Sequence, residues 1–228
     1  MSAYGDKLAR VCLASMISRP FFFLLAALVA SVSTADVRLE RLPFTTQADA
    51  GQPNVAVDPR GGFIVTWQER GSGGASLSYA LLDRNGRETR RGRIASGANW
   101  VINWADFPSL AVLANGDWVT HYFEKSEGSP HAYDIRLVRS TDRGATWSKP
   151  VTPHRDGTAS EHGFVSLVPL ERDRVLIAWL DGRHTAGAHG GRMTLRSAVL
   201  SRAGELGEER ELDESYMEIG RASCRERV

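Results

Sequence analysis

Ser140-Thr141-Asp142-Arg143-Gly144-Ala145-Thr146-Trp147 fits the pattern S-x-D-x-G-x-x-W, in which each fixed position has a task in a hairpin turn. The Asp142 carboxylate can accept N–H groups of its own turn, and Gly144 supplies the positive φ that a tight turn needs. Trp147 returns to pack where the two strands meet. Just upstream, Asp134-Ile135-Arg136-Leu137-Val138-Arg139 alternates polar and apolar, as a half-buried strand does. The stretch predicts strand, turn and returning strand. It speaks to fold and not to a reaction.

Outward from this hairpin the chain repeats. Val65-Thr66-Trp67, Val119-Thr120-His121 and Ile177-Ala178-Trp179 align, with third positions 54 and 58 residues apart, a spacing that suits four short strands and their turns. Each unit opens with a strand: Pro53 to Val57, Pro108 to Val112, and Gly163 to Val168. A turn leads to the aligned strand, and a third strand follows: Leu77 to Leu82, Ile135 to Arg139, and Met193 to Leu200. The second turn is Asp83-Arg84-Asn85-Gly86 in unit one, the full octapeptide in unit two, and Arg202-Ala203-Gly204 in unit three. No stretch past the first 35 residues sustains helical periodicity. The expectation is all-β, with one antiparallel four-stranded sheet per unit, Trp67 and Trp179 being core.

Repeated four-stranded sheets close most economically as a propeller. The octapeptide resembles the Asp-box, or BNR repeat, of the sialidase superfamily, with Ser140, Asp142, Gly144 and Trp147 as its structural positions. The likeness is strict there and looser over residues 45–215. It implies a six-bladed ring, of which about three blades are present between residues 36 and 217, so that the chain reads as an N-terminal fragment.

The two ends read differently from this middle. Residues 1–35 read as a secretory signal: Arg19 as positive flank, Pro20 to Ala30 as apolar core and Ser33-Thr34-Ala35 as cleavage site. Met16 makes a tidier start than Met1. The core is too short for a stable membrane span, so the expected location is secreted or periplasmic. Residues 218–228 match an in-frame translation of a common sequencing-library adapter and are set aside like any appended scar. Cys12 and Cys224 are the two cysteines, and both leave with the ends, so no disulfide is expected between them. A net charge of +1 gives no electrostatic case for nucleic acid.

Strand alternation sorts the loops onto two faces. The octapeptide turn shares its face with the turns joining first and second strands. The opposite rim gathers Asn99 to Phe107, His154 to His162 and Asp181 to Arg192. Such a rim suits a carbohydrate or glycoconjugate partner: flat aromatics for an apolar sugar face, arginine for a carboxylate, acids for proton transfer. The candidate catalytic residues are Asp181, Arg183, Asp106, Glu161 and His162; Trp100, Trp104, His184 and Arg192 are candidates for binding substrate. Bland readings stand beside these. Asp181-Gly182-Arg183 also reads as a turn with a tied arginine, and Glu161-His162 as a solvated dipeptide. His184 and His189 lack a carboxylate or thiolate at ligand spacing, so neither a metal nor another cofactor is expected.

The sialidase resemblance implies an exported exo-hydrolase of terminal sialic acids or related acidic sugars, with three arginines on the sugar carboxylate, a Tyr–Glu pair and an acid aspartate. Its first arginine belongs to an Arg-Ile-Pro motif. The matching places here read Gly51-Gln52-Pro53 and Asp106-Phe107-Pro108, keeping proline without arginine. The alternative is a non-catalytic propeller that binds a glycan or protein partner on the same rim. An enzyme would bring a buried acid together with arginines there; a binding module would show exposed aromatics and unperturbed carboxylates.

Overall fold

The computed structural model describes residues 39–47, 49–127, 131–185 and 191–217. The proposed leader, the C-terminal eleven residues and His189 lie outside them. Packing divides the chain after Arg41, and every strand among the described residues belongs to the unit from Leu42 onward. Its fold is all-β. The first blade is β1 (Ala50–Val57), β2 (Phe63–Gly71), β3 (Gly74–Leu82) and β4 (Glu88–Gly97), paired in that order. The second contains β5 (Trp100–Val101), β6 (Leu110–Val112), β7 (Trp118–Lys125) and β8 (Tyr133–Ser140), with β5 and β6 sharing one edge of β7 and β8 on the other. The third is β9 (His162–Leu170), β10 (Arg174–Asp181), β11 (Met193–Leu200) and β12 (Arg210–Met217), and all named pairings are antiparallel.

The second blade departs from the expected plan at both edges. Its outer strand shrinks to a bridge in which Leu137 and Val151 exchange N–H···O bonds of 2.8 and 2.9 Å. Pro150 and Pro153 flank Val151, and neither has an N–H to extend a ladder. At the other edge, β5 lies within the stretch expected to be an open loop.

Alternation on β7 explains how the blades stack. Trp118 and Tyr122 pack with Ile64, Leu77, Tyr79 and Leu81 of blade one. Val119 and Phe123 pack with Val165, Val175, Ile177 and Trp179 of blade three. Successive side chains on a strand point to opposite faces, so β7 is buried on both, from Trp118 to Phe123. Blade one packs against blade two through the face that carries Ala56 and Ile64, whereas its other face is covered only in part: Trp67 is 3% exposed there and meets Phe44 edge-on, while Val55 and Val57 are 61% and 69% exposed.

The octapeptide turn is fastened by its own side chains. Ser140 Oγ donates to Asp142 Oδ1 at 2.8 Å and accepts the Gly144 N–H at 2.6 Å. Thr146 donates its N–H and its hydroxyl to the two Asp142 oxygens at 2.8 and 2.6 Å. These bonds, that of the Thr146 hydroxyl foremost, hold the Asp142 pKa down at about 2. Gly144 has φ +88°, and a Cβ there would lie 2.7 Å from the Trp118 ring. Tyr79 of blade one meets Trp118 edge-on at 5.3 Å and donates its hydroxyl to Gly144 O at 3.1 Å. The turn thereby joins two blades.

Candidate active site

All three blades interrupt their first strand at one level. In blade one the register slips between Gly51 and Asn54, with Gln52 at φ 51°. In blade three it slips opposite Trp179, with Phe164 at φ 54°. Non-glycine residues held in the left-handed region cost about 1–3 kcal/mol each and gather at functional sites. In blade two the slip becomes an excursion, residues 102–109, between β5 and β6. It leaves Trp104 88% exposed and turns Asp106 inward to 3% exposure.

Asp106 is there joined to Glu161 through a phenol. Tyr133, the first residue of β8, donates its hydroxyl to Glu161 Oε1 at 2.8 Å, and the same oxygen lies 3.1 Å from Asp106 Oδ2. The strained Phe164 donates its N–H to Asp106 Oδ2 at 2.9 Å. Burial raises the Asp106 pKa to about 6 against the pull of the Phe164 and Tyr133 hydrogen bonds, and the Glu161 charge raises it further. Tyr133 is pushed well above the usual phenol range, by burial first and then by the two carboxylates. Gly163 makes this approach possible: a Cβ there would sit 2.1 Å from Asp106 Oδ2 and 2.6 Å from the Tyr133 oxygen. Glu161 is partly exposed, and its backbone is pinned where Gly182 N–H donates to Glu161 O at 2.8 Å.

Asp181, Arg183 and His162 belong to a second, interior network. Arg183 donates from Nε and Nη2 to the two Asp181 oxygens at 2.7 and 2.8 Å, and Trp179 Nε1 donates to Asp181 Oδ2 at 2.8 Å. Arg183 also pairs with Asp156 at 3.2 Å and with Glu209, which in turn pairs with Arg196 at 3.0 Å. His162 Nε2 lies 2.9 Å from Asp156 Oδ2 and 3.7 Å from Asp181 Oδ2. Burial acts to raise both aspartates, yet hydrogen bonds from Thr158 to Asp156, and from Arg183 and Trp179 to Asp181, hold them below the usual range. With its carboxylates committed to internal donors and Asp181 fully buried, this cluster fits the tied-turn reading better than a catalytic one.

Trp104 stands on the rim, whereas Trp100 is a core residue, 7% exposed and stacked on Tyr122 at 4.2 Å. His184 is exposed on the short 3-10 turn Arg183–Thr185, and Arg192 lies 3.9 Å from Glu211. Tyr133, Asp156 and Glu209 were not singled out from sequence; only the knowledge that β8 starts on the rim would have drawn notice to Tyr133.

Among the described residues, two constellations bring potential metal ligands within 4.8 Å: Asp134, His154 and His162, and Asp156, His162 and Asp181. In the second, Arg183 already supplies the cation. In the first, the imidazoles stack at 3.7 Å with 2° between their planes. In-plane lone pairs of parallel rings cannot converge on one ion at 2.0–2.1 Å. His154, pushed down to about 4 by burial and then by His162, instead accepts the Ile135 N–H at 3.4 Å through Nε2.

No family profile and no curated protein matches this sequence. Its structure does resemble solved ones. A protein of unknown function from Dyadobacter fermentans DSM 18053 aligns with TM-score 0.52 and 14% identity, over 73% of this chain and 56% of that one. The GH93 α-L-arabinofuranosidase of Fusarium graminearum in complex with arabinobiose aligns with TM-score 0.51 and 12% identity, over 74% and 50%. The chain thus spans about half the length of these structures, and at such identity the likeness concerns fold alone.

That likeness overturns the sialidase assignment, and with it the BNR label, sialic acid as substrate and the ground for expecting six blades. A turn octapeptide reports how one hairpin is closed, which does not specify a reaction, and the arginine of the sialidase motif is absent. What stands is a glycosidase-like fold of four-stranded antiparallel blades.

Proposed function

We propose that this chain carries part of the active surface of a glycoside hydrolase acting on α-L-arabinofuranosyl or related neutral glycans, with Glu161 as the proton-donating carboxyl. The observation that carries the reading is the Asp106–Tyr133–Glu161 chain of hydrogen bonds. Asp106, at about 6, keeps a proton into the mildly acidic range. The Tyr133 hydroxyl can take that proton while passing its own to Glu161. Glu161, the partly exposed end, then gives a proton to the glycosidic oxygen as the C–O bond breaks; water supplies the hydroxyl that ends on the anomeric carbon, and its other proton returns through Glu161 and Tyr133 to Asp106. Trp104 offers a flat apolar face on the same rim. The likeness to an arabinofuranosidase supports the substrate class, and the leader-like residues 1–35 support an exported protein meeting polymeric glycans outside the cytoplasm.

Turnover of 4-nitrophenyl α-L-arabinofuranoside and of an arabinan oligomer by the full chain tests this. Glu161→Gln is expected to lower kcat on the oligomer by about 10²–10⁴. It should do so less on the aryl glycoside, whose leaving group needs little protonation. Equal loss on both substrates would remove Glu161 from the acid role, and no turnover by the parent chain would sink the hydrolase reading.

A further inference from the structure

The two ends of β8 open onto opposite faces. Tyr133 at its start belongs to the rim just described; Ser140 at its end, about 23 Å away at roughly 3.3 Å per residue, enters the octapeptide turn. Beside that turn, between blades two and three, lies a crevice of about 450 Å³, within the size range of small-ligand sites. Leu137, Val151 and Leu200 form its apolar floor, and Trp147 stands in its wall with Thr141 and Ser148 hydroxyls close by. The Trp147 Nε1 has no hydrogen-bond partner among the described residues.

The charges of the lining all have one sign: Arg139, Lys149 and Arg202, with no carboxylate among the lining residues. Arg139 is neutralised from behind by Asp117 at 3.2 Å. Arg202 reaches Asp117 and Asp173 only at 3.9 Å each, so it is loosely held and 61% exposed. Lys149 has no carboxylate partner among the described residues. Three cations facing two aspartates leave one positive charge uncompensated at the mouth.

We propose that this crevice is a second carbohydrate site, separate from the Asp106–Glu161 rim and selective for sugars bearing a carboxylate, that is, uronic acid residues of a glycan. The apolar floor and Trp147 take the C–H face of a pyranose ring, the wall hydroxyls meet its hydroxyls, and Lys149 with Arg202 takes the carboxylate. A neutral sugar would leave the excess charge unmatched, and a simple inorganic anion would leave the floor bare.

Calorimetric titration of the full chain with α-1,4-linked trigalacturonic acid, against its methyl ester, tests the assignment. The acid is expected to bind at least ten-fold more tightly than the ester. Lys149→Ala combined with Arg202→Ala, both at the surface, should cost at least ten-fold, and Glu161→Gln, which acts on turnover, should leave this affinity unaltered. Equal affinity for the ester, no binding, or unaltered binding by the double variant would overturn the proposal. So would displacement by inorganic sulfate at matching concentration, or tighter binding of an acidic peptide. Loss of binding in Glu161→Gln would return the ligand to the first rim. Because the rim is read by turnover and the crevice by binding, each reading fails on its own measurement.

Discussion

Asp106 stays protonated to higher pH because its carboxyl is buried and shares its surroundings with Glu161, and that has a consequence for stability. Its folded pKa of about 6 lies above the ordinary 3.8. The folded state therefore binds the extra proton, the stabilisation is complete below about pH 4, and it is lost as pH rises through about 6. His154 and His121, held low by burial, favour the folded state as pH rises through the same window, so the effect is read as a difference: in chemical denaturation the parent is expected to fall behind Asp106→Asn by on the order of 2–3 kcal/mol between about pH 4 and 6, and matching slopes would contradict the raised pKa. Sequence showed Asp106 and Glu161 as rim carboxyls but not their meeting, because Tyr133 lies between them in the chain and reads as the first residue of a strand. Asp181 and Arg183 looked equally suggestive. What separates them is that Arg183 matches the Asp181 charge inside the molecule, whereas Asp106 leads through Tyr133 to the partly exposed Glu161, a difference that no local spacing reports. His121 shows the same limit. Trp67 and Trp179, at the matching places, each donate to a carboxylate two residues on, Glu69 and Asp181, at 2.8 Å. His121 has Phe123 there instead; neither ring nitrogen has a partner among the described residues, and burial drives its pKa down to about 3.

Strands and turns were the most legible level, since a period of two, turn glycines and a repeat near 55 residues all report local geometry. The lapses fell in blade two, where prolines cut short the outer strand and β5 took up an edge that reads as loop. The turn glycines also differ in what they hold apart. Gly144 and Gly204 both have positive φ, +88° and +85°, but a Cβ at Gly204 meets nothing within 4 Å, while one at Gly144 would strike Trp118 and Tyr79. Gly204→Ala should cost about 1 kcal/mol through backbone strain alone. Gly144→Ala should cost at least about 2 kcal/mol more, because the seam between blades must open to accept it. Urea denaturation of the two variants side by side measures the difference, and equal losses would mean that the Tyr79–Gly144 contact does not bind the blades together.

At the scale of the molecule, three stacked sheets leave part of the outer face of blade one uncovered, beyond the patch where Phe44 meets Trp67. Val55, Val57 and Phe63 share that face, since Val57 pairs directly with Phe63 in the ladder and side chains alternate along β1. An apolar sheet face of this kind promotes association. The chain is expected to self-associate at micromolar concentration in light scattering, and Val57→Lys to shift it toward monomer; a parent that stays monomeric would show the face to be harmless. One well-formed turn specifies a single hairpin and neither a complete ring nor its chemistry. Ladders join strands within one blade, close in the chain, whereas the seams between blades are built from side chains far apart in it. Synthesis therefore completes blade one before Trp118 and Tyr122 exist to cover Ile64, Leu77 and Leu81. Its sheet can form early, as contacts of short sequence separation do, but its inner face must wait for the next blade. During translation the slow and aggregation-exposed moment thus falls at each seam, once per blade, and β7 closes two of them in turn.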